Sequence, residues 1–239
     1  MTDQLTTIKQ TSLTNSSLWG GDFTDTADYI IPRIQLAQAS SNFVANGKCM
    51  PGDILEPHTG EVLAKKGAPL EVLFIKGNTS WTKSVKENGE WKYVGNYPIL
   101  TIAPPGKWTL EVSDGNFEIQ YKKQLNLYCL LVGKINQTPF LATMKGMSVG
   151  TARKIISHFM NCDQVGVSPA SSVFNLFTEP KSFNDKTFFA YETIKARAAT
   201  PEESLEAVKW RTILQSSNNV KVVEEPKETE ENSDFPFSA

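Results

Sequence analysis

The chain has 239 residues, of which 40% are hydrophobic and 21% charged, a composition that allows one sizeable core or two small ones. Its 24 Lys and Arg against 26 Asp and Glu give a net charge of −2, which excludes a bulk polycation of the histone type. No run of about 18 apolar residues occurs, and residues 1–17 lack the basic and apolar regions of a secretion signal, so we expect neither a membrane protein nor a secreted one.

Residues 1–27 are rich in Thr, Ser, Asn, Asp and Gly and predict a flexible N-terminal arm. Residues 28–36 are apolar and β-leaning, but Pro32 interrupts them, and we expect an edge strand there. Gly, Pro and Asp recur through residues 47–60 and predict turns.

From residue 69 onward, short β-leaning runs follow one another. Strands are predicted over residues 69–76, 81–86, 91–94, 108–112, 117–122, 125–134, 139–144 and 186–194. Asn88-Gly89 and Asp114-Gly115 separate neighbouring runs and are strong hairpin signals. The run at 125–134 is apolar at nearly every position, so we expect it to be buried on both faces and paired with 139–144.

Two segments have helical periodicity. In residues 148–160 the apolar side chains share one face, Arg153 and Lys154 lie on the other, and Ser148 is the expected N-cap. In residues 200–214, Thr200 is the expected N-cap, with Pro201 at the first helical position and a capping-box Glu203.

Many short strands at close spacing, followed by helices, predict a β-rich α+β fold. We expect an OB-like β-barrel or a small β-sandwich with two appended helices, as a single domain over residues 28–215. Residues 216–239 are predicted to form a disordered acidic tail, because a charged run without apolar partners cannot bury a core.

Catalytic and metal-binding motifs are missing from the chain. There is no G-x-S-x-G, P-loop, G-x-G-x-x-G or H-E-x-x-H sequence. Cys49, Cys129 and Cys162 are isolated and predict reduced thiols. With only His58 and His158 besides, a structural zinc site would have few ligands. We therefore expect no enzyme activity, no metal site and no cofactor.

The small net charge hides an uneven distribution. Residues 1–60 carry a net charge of −3, residues 61–214 carry 19 basic and 14 acidic side chains, and residues 215–239 carry −4. A basic middle with an acidic end points to a polyanionic partner. Taken alone, the charge distribution favours the simpler interpretation of a solvated surface with a solubility tail, because the excess of basic residues in the middle is only moderate.

Aromatic and basic side chains alternate through residues 74–123, which contain eight aromatic residues and seven lysines. Single-stranded nucleic acids are bound by such a combination, because rings stack on bases and ammonium groups pair with phosphates. For any one ring a core position is the better interpretation, and we expect two or three of the eight to be exposed. The candidate DNA-binding residues are Lys76, Trp81, Lys83, Lys86, Trp91, Lys92, Tyr93, Lys107, Trp108, Tyr121, Lys122, Lys123, Arg153 and Lys154.

Strand alternation divides these candidates between two faces. Trp81, Lys83 and Val85 should share one face of their strand, while Trp91 and Tyr93 share a face of theirs with Lys92 opposite.

The tail combines a run of acids with the aromatic tip Asp234-Phe235-Pro236-Phe237. An exposed Phe gains nothing unless a partner buries it, and burying one contributes about 1.5–3 kcal/mol. The tip is therefore a candidate partner-binding motif, and the acids before it would hasten encounter with a basic partner.

This tail resembles the C-terminal tail of bacterial single-stranded DNA-binding proteins, and functionally the acidic, Phe-ending tails of phage ones. Residues 30–41, 50–61 and 69–75 are similar to a group of small tailed-phage proteins thought to bind single-stranded DNA. The resemblance implies an OB-fold body and a tail that recruits replication and repair enzymes and competes with DNA for a basic groove. In the bacterial family the chain ends at the final Phe, whereas Ser238 and Ala239 follow here, which displaces the carboxylate that partners of that family recognise.

Residues and resemblance together predict a sequence-independent single-stranded DNA-binding protein of phage replication or recombination. It would protect unpaired DNA in the cytoplasm of a bacterial host and recruit replication or recombination proteins through its tail, and a homo-oligomer is compatible with this role. The alternative is a phage virion or assembly protein, or a host-factor-binding protein, without nucleic-acid activity.

Overall fold

The computed structural model describes residues 31–97, 107–114, 117–134, 138–183 and 186–216. The arm expected at 1–27 and the tail expected after Ser216 lie outside these residues. The strands are β1 (Arg33–Leu36), β2 (Ile54–Glu56), β3 (Glu61–Ala64), β4 (Leu70–Glu87), β5 (Glu90–Tyr97), β6 (Thr109–Asp114), β7 (Phe117–Leu131), β8 (Phe140–Met144), β9 (Ser172–Phe183) and β10 (Lys186–Ala198). The helices are α1 (Asn42–Ala45), α2 (Val149–Gln164) and α3 (Pro201–Ser216).

All ten strands belong to one sheet that curls into an open half-barrel. The order is β10-β9-β4-β7-β8-β1-β2-β3, with β5 added to β4 and β6 added to β7. Only β1 and β8 run parallel among the described pairs. The prediction of a β-rich α+β fold with two sizeable helices is confirmed at this level.

Strands β4 and β7 are the longest strands described, with 18 and 15 residues, and each joins two segments that the sequence predicted as separate strands. Gly77 and Asn78 lie between the two segments predicted as separate strands, and they pair with Leu127 and Asn126 inside the sheet. A β-carbon at residue 77 would lie 3.0 Å from the ring of Phe159. The glycine therefore makes room for α2 and does not end the strand.

The C-terminal half of β4 and the N-terminal half of β7 carry β5 and β6. These four strands form an extension of the half-barrel that we call the arm, which is distinct from the N-terminal residues 1–27. The hairpin expected at Asn88-Gly89 is confirmed, with φ angles of 55° and 85° that fit a tight two-residue turn. Strand β6 pairs with β7 as predicted, up to Asp114 opposite Phe117.

Each face of the half-barrel has its own helix. We call the face against α2 the inner face; there Leu125 and Leu127 pack with Ala152 and Ile155. On the outer face, Leu73 and Leu130 pack with Trp210 and Leu214 of α3. The strands are buried on both sides where the helices cover them. Of the run 125–134 that was expected to be buried on both faces, residues 125–131 lie in β7 between the two helices, whereas residues 132–134 form a short 3-10 turn without buried residues.

The predicted side-chain cap is present at the start of α3 but not at the start of α2. Thr200 and Glu203 form the expected capping box, with the Glu203 N–H donating to Thr200 Oγ1 at 3.2 Å and the Thr200 N–H donating to Glu203 Oε2 at 2.7 Å. Ser148 is the N-cap residue of α2, as predicted, but its side chain makes no capping hydrogen bond to the helix. Its hydroxyl instead accepts the N–H of Tyr191 at 2.9 Å.

Several strands depart from the prediction. β1 is an interior strand between β2 and β8, not an edge, because Pro32 precedes it and contributes a carbonyl that accepts the Leu141 N–H. Turns are present at residues 51–52 and 57–60, but β2 lies between them in the stretch predicted as turns, and neither β3 nor β9 was predicted. Pro180 sits in β9 beyond the three residues that pair with β4, so its missing N–H costs no bond to that strand.

The edge of β10 is covered by side chains from elsewhere in the chain. Gln38, just after β1, donates to the Phe189 carbonyl at 2.8 Å and accepts its N–H at 3.0 Å. Thr151 of α2 donates to the Tyr191 carbonyl at 2.7 Å. These bonds bridge β10 to β1 and α2 without a further strand. No helix in the described part of the chain is long and apolar enough to cross a membrane.

Candidate nucleic-acid interface

The inner face of the arm brings together aromatic and basic residues from β4, β5 and β7, and from the residue before β6. The register places Trp81 of β4 between Lys123 of β7 and Tyr97 of β5, and Lys83 beside Tyr121. The uninterrupted register with β7, in which Trp81, Lys83 and Val85 pair with every second residue of that strand, confirms their grouping on one face.

Four of these groups form a continuous stack that we call the cation–aromatic row: Trp81, Lys123, Trp108 and Arg153. The Lys123 ammonium lies 5.8 Å from the Trp81 ring centre and 5.7 Å from the Trp108 ring centre. The guanidinium carbon of Arg153, from α2, lies 5.8 Å from the Trp108 ring centre. Each distance is within the range of cation–π attraction, so the two cations are held at defined positions.

Main-chain pairing fixes the row in place. Trp108 precedes β6, and its carbonyl accepts the Lys123 N–H at 2.7 Å, which aligns the two side chains. Tyr97 and Tyr121 continue the aromatic surface beside the row, with ring centres 6.4 Å apart and planes at 78°.

The aromatic rings differ in exposure. Trp81 is only 6% exposed and contacts the Lys123 ammonium with its ring. Trp108 is half-buried, and Tyr97 is 38% exposed. Three of the eight rings between residues 74 and 123 are exposed, as expected: Tyr93, Tyr97 and Phe117. Open stacking surface on the inner face therefore comes from Trp108, Tyr97 and Tyr121.

The cations of the inner face are available for an anion. Within the described part of the chain, Lys83, Lys123 and Arg153 have no carboxylate within ion-pair distance. Lys92 is the exception, since its ammonium lies 2.8 Å from Glu87, and that bond raises the pKa of Lys92. Unpaired cations beside aromatic rings make this face attractive to a polyanion with flat groups.

Other predicted residues lie on the opposite, outer face of the arm. Trp91 and Tyr93 share that face, as the alternation predicted, and they pair with Lys86 and Ser84. Lys86 stacks over Trp91 and also binds Glu118 at 2.8 Å. Lys122 belongs to this face by alternation with Lys123, and Lys107, next to Trp108, is exposed.

Two predicted cations are engaged in the body of the protein. The Lys76 ammonium donates to the Leu214 carbonyl at 2.8 Å on the α3 side, so it stabilises the end of that helix. Lys154 binds Glu192 of β10 at 3.1 Å. Burial would raise the pKa of Glu192, but the hydrogen bond and charge of Lys154, together with the charge of Lys181, outweigh it and hold that pKa below its ordinary value.

A groove continues the inner face beyond the row. It lies between β4, β7 and the C-terminal half of α2, has a volume of about 370 Å3 and is lined mainly by apolar side chains. Sequence reasoning missed this groove because its walls come from distant segments. It also omitted Tyr97, because a β-bulge between Lys83 and Ser84 shifts the pairing with β5 and breaks the alternation that a sequence can show.

The other chemically versatile side chains have structural surroundings. All three cysteines are free and buried, and burial raises the pKa of Cys129 to about 12. His158 packs its ring 4.9 Å from Phe174 and contacts Cys162 Sγ at 3.5 Å. Among the described residues, no three His, Cys, Asp or Glu side chains converge into a metal site.

No protein-family model, curated protein or solved structure matches the chain. The functional argument therefore rests on the geometry of the inner face.

Proposed function

We propose that this protein is a sequence-independent single-stranded DNA-binding protein, with an OB-like body that binds the strand along the inner face of the arm. The observation that carries the proposal is the cation–aromatic row, in which two cations and a half-buried ring lie side by side. Bases would stack on Trp108 and on Tyr97 and Tyr121, while Lys123, Arg153 and Lys83 pair with phosphates.

The arrangement favours unpaired nucleic acid over a duplex. Stacking needs the flat face of a base, which a duplex hides, and every base offers such a face whatever its identity. The chemistry of the row is therefore indifferent to sequence. We place the protein in phage replication or recombination, where its acidic tail with Asp234, Phe235, Pro236 and Phe237 would recruit partner proteins.

Titration of the intrinsic tryptophan fluorescence with a 20-mer of deoxythymidine tests the proposal. We expect quenching on binding, and Trp108→Ala should weaken binding by the equivalent of about 1–3 kcal/mol, the contribution of one stacked base. Trp91→Ala on the outer face is the matched control and should leave the affinity unchanged.

Salt dependence gives a second readout that does not rely on tryptophan. Arg153 is exposed on α2, so Arg153→Gln should fold normally and reduce the log–log salt slope by about 0.7, the value for one phosphate contact on a single strand. Absence of any oligonucleotide binding by the wild type would favour the virion or assembly alternative. Loss of binding in Trp91→Ala but not in Trp108→Ala would place the interface on the outer face.

A further inference from the structure

The groove beside the cation–aromatic row has apolar walls of defined shape. Leu125 and Leu127 of β7 form its floor, and Ile156 and Phe159 of α2 stand against them. A β-carbon at Gly77 would lie 3.0 Å from the Phe159 ring and 3.2 Å from Leu127. The groove therefore depends on a glycine that lets the helix pack directly on the strand.

The two ends of the groove carry opposite charge. Thr79 pairs with Leu125 two residues from the Trp81–Lys123 pair, so this end opens onto the row, where Arg153 also lies. Asp163 lines the other end, ten residues further along α2, which corresponds to about 15 Å of helix. Its carboxylate has no cation within ion-pair distance in the described part of the chain.

We propose that the groove accepts one unstacked nucleobase of the bound strand, with the adjoining phosphate at Arg153 and Lys123 and the amino group of the base at Asp163. This inference rests on the proposed function. A nucleotide presents an anionic phosphate, a flat apolar ring and, in adenine, cytosine and guanine, an amino donor. The groove offers a cation, apolar walls and a carboxylate in the same order.

The charges favour a nucleobase over a peptide as the occupant. An acidic, aromatic peptide would bring its carboxylates against Asp163, whereas a base meets that carboxylate with hydrogen-bond donors. Met160, which is 58% exposed at the groove, has a flexible thioether that adapts to rings of different size. Thymine has no amino group, so the groove should discriminate against it.

The test compares 20-mers of deoxycytidine and deoxythymidine at pH 8 by fluorescence anisotropy. We expect the wild type to bind the cytidine strand about three- to tenfold more tightly, as expected for one partly solvated hydrogen bond to a charged group. Asp163→Ala should abolish this preference. Glu202→Ala removes the same charge from an exposed site on α3 and should preserve the preference.

A cytidine strand with one 5-iodocytosine provides a direct readout. Irradiation should cross-link the base to Phe159 or Met160. Equal affinity for the two strands in the wild type, or an unchanged preference in Asp163→Ala, would overturn the groove inference while leaving single-stranded DNA binding intact. Cross-links confined to the Trp108 segment would also overturn it, and failure of the wild type to bind either strand would refute the proposed function itself.

Discussion

At the level of single residues, Gln38 satisfies main-chain groups that would otherwise need a neighbouring strand. Its amide both donates to and accepts from Phe189 on the edge of β10, the pattern that a paired strand would provide. Gly52 lies close by, with φ of 93° and no room for a β-carbon, which would lie 2.8 Å from the Phe189 ring. This part of the half-barrel edge is thus closed by individual side chains.

We expect Gln38→Ala to lower the free energy of unfolding by about 1–3 kcal/mol, because a main-chain N–H and a carbonyl lose their partner at a partly buried site. Urea unfolding followed by circular dichroism measures the change. Gln164→Ala, at an exposed position on α2, should have little effect. Equal stability of the two variants would show that the Gln38 bonds do not hold the β10 edge.

At the level of elements, α3 is tied to the sheet through the side chain of Glu203. This carboxylate caps the helix at Thr200 and also accepts two bonds from Arg197 of β10, at 2.7 and 2.8 Å. Bonds from Arg197, opposed by partial burial and assisted by Thr200, hold the pKa of Glu203 below its ordinary value of 4.5. The helix start and the strand end are thereby joined by one ionised group.

Because the pKa of Glu203 is lowered in the folded state, the contribution of its bonds to the free energy of unfolding depends on pH. It is fully present above the unfolded-state pKa, near 4.5, and is lost as the pH falls through the folded-state pKa. Glu203→Gln should therefore lower the free energy of unfolding by about 1 kcal/mol at pH 7 and by much less at pH 3. The midpoints of urea unfolding curves measure both values. Glu202→Gln in the same turn is the control, and a constant difference between Glu203→Gln and the wild type across this pH range would disprove the coupling.

At the level of the whole molecule, charge and shape divide the chain into parts with different roles. The half-barrel carries α2 and α3, and the arm extends β4 and β7 beyond it. The cations of the inner face lie on the arm, at Lys83 and Lys123, and on α2, at Arg153. The last 25 residues carry a net charge of −4. Opposite charges on one chain attract at the high effective concentration that a tether provides.

We expect removal of residues 224–239 to tighten binding of single-stranded DNA roughly three- to tenfold at low salt, because the acids no longer compete for the cations of the inner face. This gain in affinity should become smaller as the salt concentration is raised, because salt screens the attraction between the tail and the inner face. Anisotropy titrations at two salt concentrations measure both effects, with a chain in which the six acids are replaced by Asn and Gln as the comparison. Unchanged affinity at low salt would exclude competition by the tail.

Local signals in the sequence were reliable where a few neighbouring residues decide the structure. The Asn88-Gly89 turn, the capping box at Thr200 and the shared face of Trp81 and Lys83 all depend on contacts within a few residues. The same reasoning failed between residues 76 and 81, where two predicted strands form the single strand β4. It was half right at Ser148, which is the N-cap residue of α2 but whose hydroxyl accepts the N–H of Tyr191 and not one of its own helix.

The amino-acid sequence by itself determined that the chain is β-rich, that its middle is basic and aromatic, and which side chains alternate along each strand. Only the tertiary structure decided which of them meet. Lys123, Trp108 and Arg153 come from three segments and align because β7 pairs with the residues around β6 while α2 packs across the inner face. Such meetings depend on long-range packing and on bulges that shift register, and neither is encoded in local periodicity.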